Sequence, residues 1–154
     1  MGLWDRIFGQ RTNLTNAARL VTVHLARGRG FTCEVVGEAS YQSSLDAICG
    51  RKCEDGHRLP VTAQLCFQED NPHDTNAIVV LIGSKVVGYI PRDKAPEMRS
   101  AILRLNPKEQ PVTCDAQIVG GWMRERDDEG HYGVKLSLSN PLRVARSPKT
   151  PAST

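Results

Sequence analysis

The stretch Gln68–Pro91, QEDNPHDTNAIVVLIGSKVVGYIP, decides how the rest of the chain is read. Its first part, Glu69–Asn76, holds three acids, two Asn, one Pro and one His, and no aliphatic side chain to bury. Asn and Asp side chains hydrogen-bond their own backbone and Pro removes a donor, so a structured turn is expected. Ala77–Ile82 follows as a short, unbroken apolar run rich in β-branched residues, the pattern of a buried strand. Gly83–Ser84 turns the chain and Lys85–Ile90 returns as the second strand of a hairpin, ended by Pro91. Polar groups at the mouth of a hairpin are held still by rigid strands, which makes this knot the first candidate for a site.

Working outward, Leu59–Gln68 alternates as a long strand, with Val61, Ala63, Leu65 and Phe67 opposite Thr62, Gln64 and Cys66. Phe31–Val36 is strand-like, Gly37–Ser40 turns, and Tyr41, Leu45 and Ile48 share a short helix ended by Gly50. Arg51–Arg58 reads as a charged loop. Downstream, Pro91 is expected at the first position of a helix, where its missing N–H costs nothing. Met98, Ile102 and Leu105 form that helix's apolar stripe, and Asn106–Pro107 stops it. Pro111–Gly120 and Tyr132–Ser139 are the last strands, separated by the polar loop Gly121–His131.

The sum is a mainly β domain of six strands with two short helices, arranged as a small barrel or sandwich. Leu14, Ala17, Ala18, Val21 and Leu25 recur at helical spacing and predict an N-terminal helix over 15–26. Leu3–Phe8 ahead of it is a short amphipathic piece, and Arg27–Gly30 reads as a linker. From Pro141 onward the composition is that of a disordered tail. The expected organisation is an extension over 1–30, a domain over 31–140 and a basic tail over 141–154.

The net charge of +3 is unevenly spread. Five Arg against one Asp precede Phe31, three basic residues and no acid follow Asn140, and twelve basic residues face sixteen acids between them. Basic ends on a mildly acidic body suit a polyanion, and they equally serve solubility. Five Cys is an odd count, and Cys33, Cys66 and Cys114 fall inside strand-like runs, where a reduced thiol behaves as a small hydrophobe. With no signal-peptide pattern ahead of them, a reducing cytoplasm is expected. No apolar run is long enough for a membrane span.

A site for single-stranded nucleic acid needs planar side chains for bases, cations for phosphate and acceptors for sugar hydroxyls. Tyr41, His73 and Tyr89 supply planes, Arg92 and Lys94 charge, with Lys52 a further cation, and Asn71, Asp74 and Asn76 polar groups. A carboxylate accepts from a terminal 3′-hydroxyl and repels a phosphate in its place. The same residues also have plain structural roles: Asp74 and Asn76 close an Asx turn, and Tyr89 covers the core with its hydroxyl in water. For catalysis, Asp70, His73 and Asp74 suggest a Mg²⁺-dependent nuclease, with only Glu38 and Asp93 to join them. ATP hydrolysis lacks its phosphate-binding loop, so no enzyme and no cofactor is expected. Cys49, Cys53 and His57 are three possible zinc ligands within nine residues, lacking the distant second pair such sites use, so the thiols read as loop residues.

The string Asp70–Ile78, DNPHDTNAI, followed by Val87–Ile90, VGYI, resembles the HIRAN domain signature. Val35–Val36–Gly37–Glu38 with Tyr41 upstream and Gly120–Gly121–Trp122 downstream extend the likeness over roughly residues 31–140. The resemblance implies an OB-like barrel that binds oligonucleotides on an open face between loops. It implies single-stranded DNA with a free 3′ end as ligand, in repair or replication, with a DNA-processing enzyme as a further partner. By matching positions, Asp74 would hold the 3′-hydroxyl, Tyr41 would stack on a terminal base, and Arg92 would meet phosphate. The chain departs where eukaryotic relatives carry Tyr at the His73 position and His at the Tyr89 position, which puts a smaller and titratable ring at the end-binding place. The same fold serving as a protein-interaction adaptor is the alternative.

Overall fold

Alternation of apolar and polar residues sets the inward face of each strand. The computed structural model describes residues 21–146. In chain order its strands are β1 (Val23–His24), β2 (Cys33–Glu34), β3 (His57–Phe67), β4 (Ile78–Ile82), β5 (Lys85–Tyr89), β6 (Val112–Gly120), β7 (Met123–Glu125), β8 (Asp128–Glu129) and β9 (Tyr132–Ser137). A 3-10 turn (Glu38–Tyr41) leads into α1 (Gln42–Cys49), and α2 (Ala95–Leu105) lies between β5 and β6. The main sheet runs β2-β9-β6-β3-β4-β5, with every neighbour on that path antiparallel.

Register puts like with like. Val61, Ala116, Leu136 and Cys33 form one row across four strands, and Val80, Leu65 and Val112 form another. Along β6, Val112, Cys114, Ala116 and Ile118 are buried while Thr113, Asp115 and Gln117 face outward. Every residue of β4 is buried, as its unbroken apolar run requires. Each such aliphatic side chain contributes about 1.5–3 kcal/mol by leaving water. Leu45 of α1 and Ile102 of α2 join the same core.

The sheet curls into a half-barrel whose two edges meet. Val36 N–H donates to the Tyr89 carbonyl and Tyr89 N–H to the Val36 carbonyl, both at 2.8 Å. Gly88 permits that approach, because a Cβ there would lie 2.5 Å from the Val36 carbonyl oxygen and from Val35 Cγ1. The β4–β5 turn uses Gly83 and Ser84 at φ 56° and 73°, the left-handed pair that a tight hairpin demands.

Several expectations change. Pro91 does not open α2; Pro96 stands in its first turn. The Pro91 carbonyl instead accepts from Lys94 N–H at 2.9 Å and Ala95 N–H at 3.0 Å, so Arg92–Lys94 form a turn into the helix. The 121–131 loop is a small hairpin, β7–β8, organised by Trp122. Its ring lies against Gly130, where a Cβ would come within 2.4 Å, and its Nε1 donates to Asp128 Oδ1 at 3.3 Å.

The first half of the helix expected over 15–26 lies outside the described residues, as does all of Leu3–Phe8, and in its second half Val23–His24 is strand, parallel to β6. Thr113 explains the preference: its carbonyl accepts from Leu25 N–H at 2.8 Å, and its hydroxyl meets His24 Nδ1 at 2.8 Å. Leu25 is fully buried upstream of Phe31. On the free side of β1, Ala26 N–H donates to the Arg143 carbonyl and Ala145 N–H to the His24 carbonyl, so the expected disordered tail is ordered at its start. Among the described residues, no helix is long and apolar enough to cross a membrane.

All five thiols are free. Burial pushes Cys66 up to about 11, and burial, then the neighbouring Cys33 and Asp115, push Cys114 up to about 12. Both groups ionise near 9 in an unfolded chain and stay protonated in the fold, so their stabilisation is complete below pH 9 and is lost as pH rises through 11–12. Urea midpoints are therefore expected to fall above pH 9, and at pH 8 a thiol reagent should label exposed Cys53 well before Cys114. Gly88→Ala should cost about 1–3 kcal/mol in urea unfolding, since the clash is with backbone. Gly133→Ala is its control, because the added Cβ meets only Val119 Cγ2 at 3.5 Å.

Candidate functional site

The polar knot is built around one amide. Asn71 Oδ1 accepts from the backbone N–H of His73 at 2.9 Å and of Asp74 at 3.2 Å, while its Nδ2 donates to Gln68 Oε1 at 3.1 Å. Asp74 Oδ1 then accepts from Asn76 N–H at 2.9 Å, the Asx turn that the sequence pattern predicts. The knot is anchored at its base by Gln68 N–H donating to the Ala77 carbonyl at 2.8 Å.

Arg92 follows β5 at the same open end of the hairpin and reaches the knot from there. Its Nη2 donates to the His73 carbonyl at 2.6 Å, and its Nε stands 4.0 Å from Asp74 Oδ2. The Arg92 side chain is 77% exposed, so this ion pair contributes little to stability and leaves the guanidinium open to other anions. Asp74 is 21% exposed, with one oxygen engaged by the turn and the other turned to Arg92. His73 is exposed; Asn76 is half-buried.

Tyr41 and Tyr89 form a second group. Both are half-buried, and the Tyr41 phenol is pushed above the ordinary tyrosine range by burial first and then by the adjacent Tyr89 hydroxyl. The two groups are joined through Tyr89–Arg92, three residue steps that span at most about 11 Å. Lys94 is exposed and stands apart from the knot, on a cleft with Pro91 and Val36. Lys52, by contrast, pairs with Glu129 at 3.3 Å.

The thiol cluster converges only in part. Cys53 Sγ lies 3.9 Å from His57 Nε2 and 3.1 Å from the Gly56 carbonyl oxygen, while His57 Nδ1 faces the Gly120 carbonyl at 3.2 Å. Among the described residues, no three His, Cys, Asp or Glu side chains are grouped to hold a metal ion, either here or around Asp70, His73 and Asp74.

Sequence reasoning missed two sets of residues. The Tyr132 hydroxyl, buried beneath the thiol cluster, donates to Asp46 Oδ1 at 2.8 Å, and only the inward phase of β9 hints at it. Phe31, Glu34, Val36 and Lys135 line the cleft beside Lys94; the outward phase of Lys135 in the last strand was the available signal. No family model, no curated protein and no solved structure matches the chain.

Asn71→Ala removes the acceptor for two backbone donors. The expected result is a loss of about 1–2 kcal/mol in unfolding free energy and faster amide hydrogen exchange at His73 and Asp74. Asn71→Asp, which keeps the acceptor oxygen, should recover most of both.

Proposed function

We propose that this chain is a non-catalytic, HIRAN-type nucleic-acid-binding module with an OB-like barrel, and that it grips single-stranded DNA at a free 3′-hydroxyl end. The observation that carries the reading is the pairing of Asp74 with Arg92 on a loop whose backbone is locked by Asn71. An acid and a guanidinium side by side match the end of a strand, where a hydroxyl donor sits next to the last phosphodiester. Asp74 accepts from the 3′-hydroxyl through its unengaged lone pairs, and its charge rejects a terminal phosphate. Arg92 exchanges its weak, solvent-screened partner for a phosphate oxygen, a stronger charge-assisted contact.

Tyr41 and Tyr89 give ring surface for the terminal bases, and the exposed His73 adds a smaller plane beside them. Tyr89 stands in strand β5, Tyr41 in the 3-10 turn and His73 on the loop ahead of β4, so strand and turn geometry limits how far these rings can move. Basic residues at both ends of the chain add sequence-independent attraction.

A fluorescent oligonucleotide ending in 3′-OH is expected to bind at least about tenfold more tightly than its 3′-phosphate twin, a difference of about 1.4 kcal/mol. Asp74→Asn keeps an acceptor for the turn but removes the charge, and should abolish the discrimination while leaving the melting temperature nearly unchanged. Equal affinity for the two ends in the wild type, lost alike in high salt, would mean polyanion attraction alone and would rule the reading out. No DNA binding at low salt would favour the adaptor role of the same fold.

A further inference from the structure

A cleft of about 520 Å³ opens on the outer face of the barrel seam, where the two sheet edges meet. Val36 and Tyr89 exchange both backbone hydrogen bonds, so their side chains lie on one face of the sheet. Glu34 and Pro91, two residues from each, share that face, and Lys135 stands opposite Glu34 in register. The cleft therefore continues the surface that carries Tyr89.

Its lining is chemically mixed. Phe31, Val36 and Pro91 are apolar, Lys94 and Lys135 are cations, and Glu34 and Asp93 are acids. The Arg27 guanidinium lies 5.4 Å from the Phe31 ring centroid and is itself held to Asp115 Oδ2 at 3.3 Å. Phe31 is thus braced from one side while it lines the cleft. Two cations against two acids do not make a general anion trap. They suit a ligand that carries a phosphate, a flat apolar body and hydrogen-bond donors together, and the volume falls in the ordinary range for small-molecule sites.

We infer that this cleft is a nucleotide subsite for the residues just inward of the strand end, and that it favours bases with an exocyclic amino group over thymine. The inference rests on the 3′-end reading above and adds where the strand runs and which bases it prefers. Glu34 accepts from the amino group of cytosine, adenine or guanine, a donor that thymine lacks. Lys94 and Lys135 take the flanking phosphates, and the base lies against Phe31, Val36 and Pro91.

The test uses the full chain and 3′-OH oligonucleotides with the same terminal nucleotide, differing only in dC or dT at the next two positions. The wild type should bind the dC version about three- to tenfold more tightly, the size of one or two net hydrogen bonds. Glu34→Leu, which keeps the bulk of this exposed side chain but has no acceptor, should remove that preference. Lys135→Ala should weaken both oligonucleotides and lower the salt slope of log K by about 0.7, and Lys135→Arg should restore them. Preference for 3′-OH over 3′-phosphate should persist in all three variants, which also reports that each has folded. Equal binding of dC and dT, or a preference that survives Glu34→Leu, overturns the inference while the 3′-end reading stands. Absence of any 3′-OH preference in the wild type overturns both.

Discussion

Two hydrogen bonds between Val36 and Tyr89 hold the curled sheet closed. Without them β2 and β5 are the exposed edges of an open curled sheet, with unpaired backbone groups and a core reachable from one side. Their formation depends on a missing side chain. At Gly88 the neighbouring backbone comes so close that any Cβ would meet the Val36 carbonyl. A single glycine thus governs whether the sheet can shut, and Tyr89, one of the candidate binding residues, is a member of the pair that closes it.

The seam gathers groups from distant parts of the chain. Tyr41 follows β2 through a turn at Gly37, whose φ of 80° suits glycine, and so arrives beside Tyr89. Arg92 leaves the other strand of the seam through the turn after Pro91 and meets Asp74. The knot that carries Asp74 is rigid for local reasons, since Asn71 satisfies successive backbone donors without help from elsewhere. A self-supporting loop pinned to a closed seam holds in place an exposed ion pair that is itself weak in water.

The region around Tyr132 follows a different logic. Around the buried Tyr132, its hydroxyl held by Asp46 and its ring tilted against His57, the polar groups serve one another. Gly121 is shaped to that ring as closely as Gly88 is to the seam, for a Cβ there would come within 2.2 Å of it. The thiols of Cys49 and Cys53 lie near this buried phenol, and burial followed by Asp46 and Cys53 holds Cys49 protonated above its ordinary range. This packing fixes α1, and with it the direction from which Tyr41 enters the seam.

Much of this was legible from local pattern. The β4–β5 hairpin, the Asx knot, the alternation of β3, β6 and β9 and the stripe of α2 are encoded by residues two to four apart, so periodicity and turn chemistry reveal them. The sequence by itself determined a mainly β chain with a polar knot at a hairpin mouth, and thiols placed to be buried. Tertiary structure alone decided that Val36 pairs with Tyr89, that Arg92 turns back to Asp74, and that Val23–His24 joins β6 although its spacing suits a helix. It also made a hairpin of the polar stretch after Gly121, through Trp122 and Gly130. Each of these outcomes depends on which distant backbone donors and acceptors need partners once the core is buried, and that demand leaves no period in the sequence.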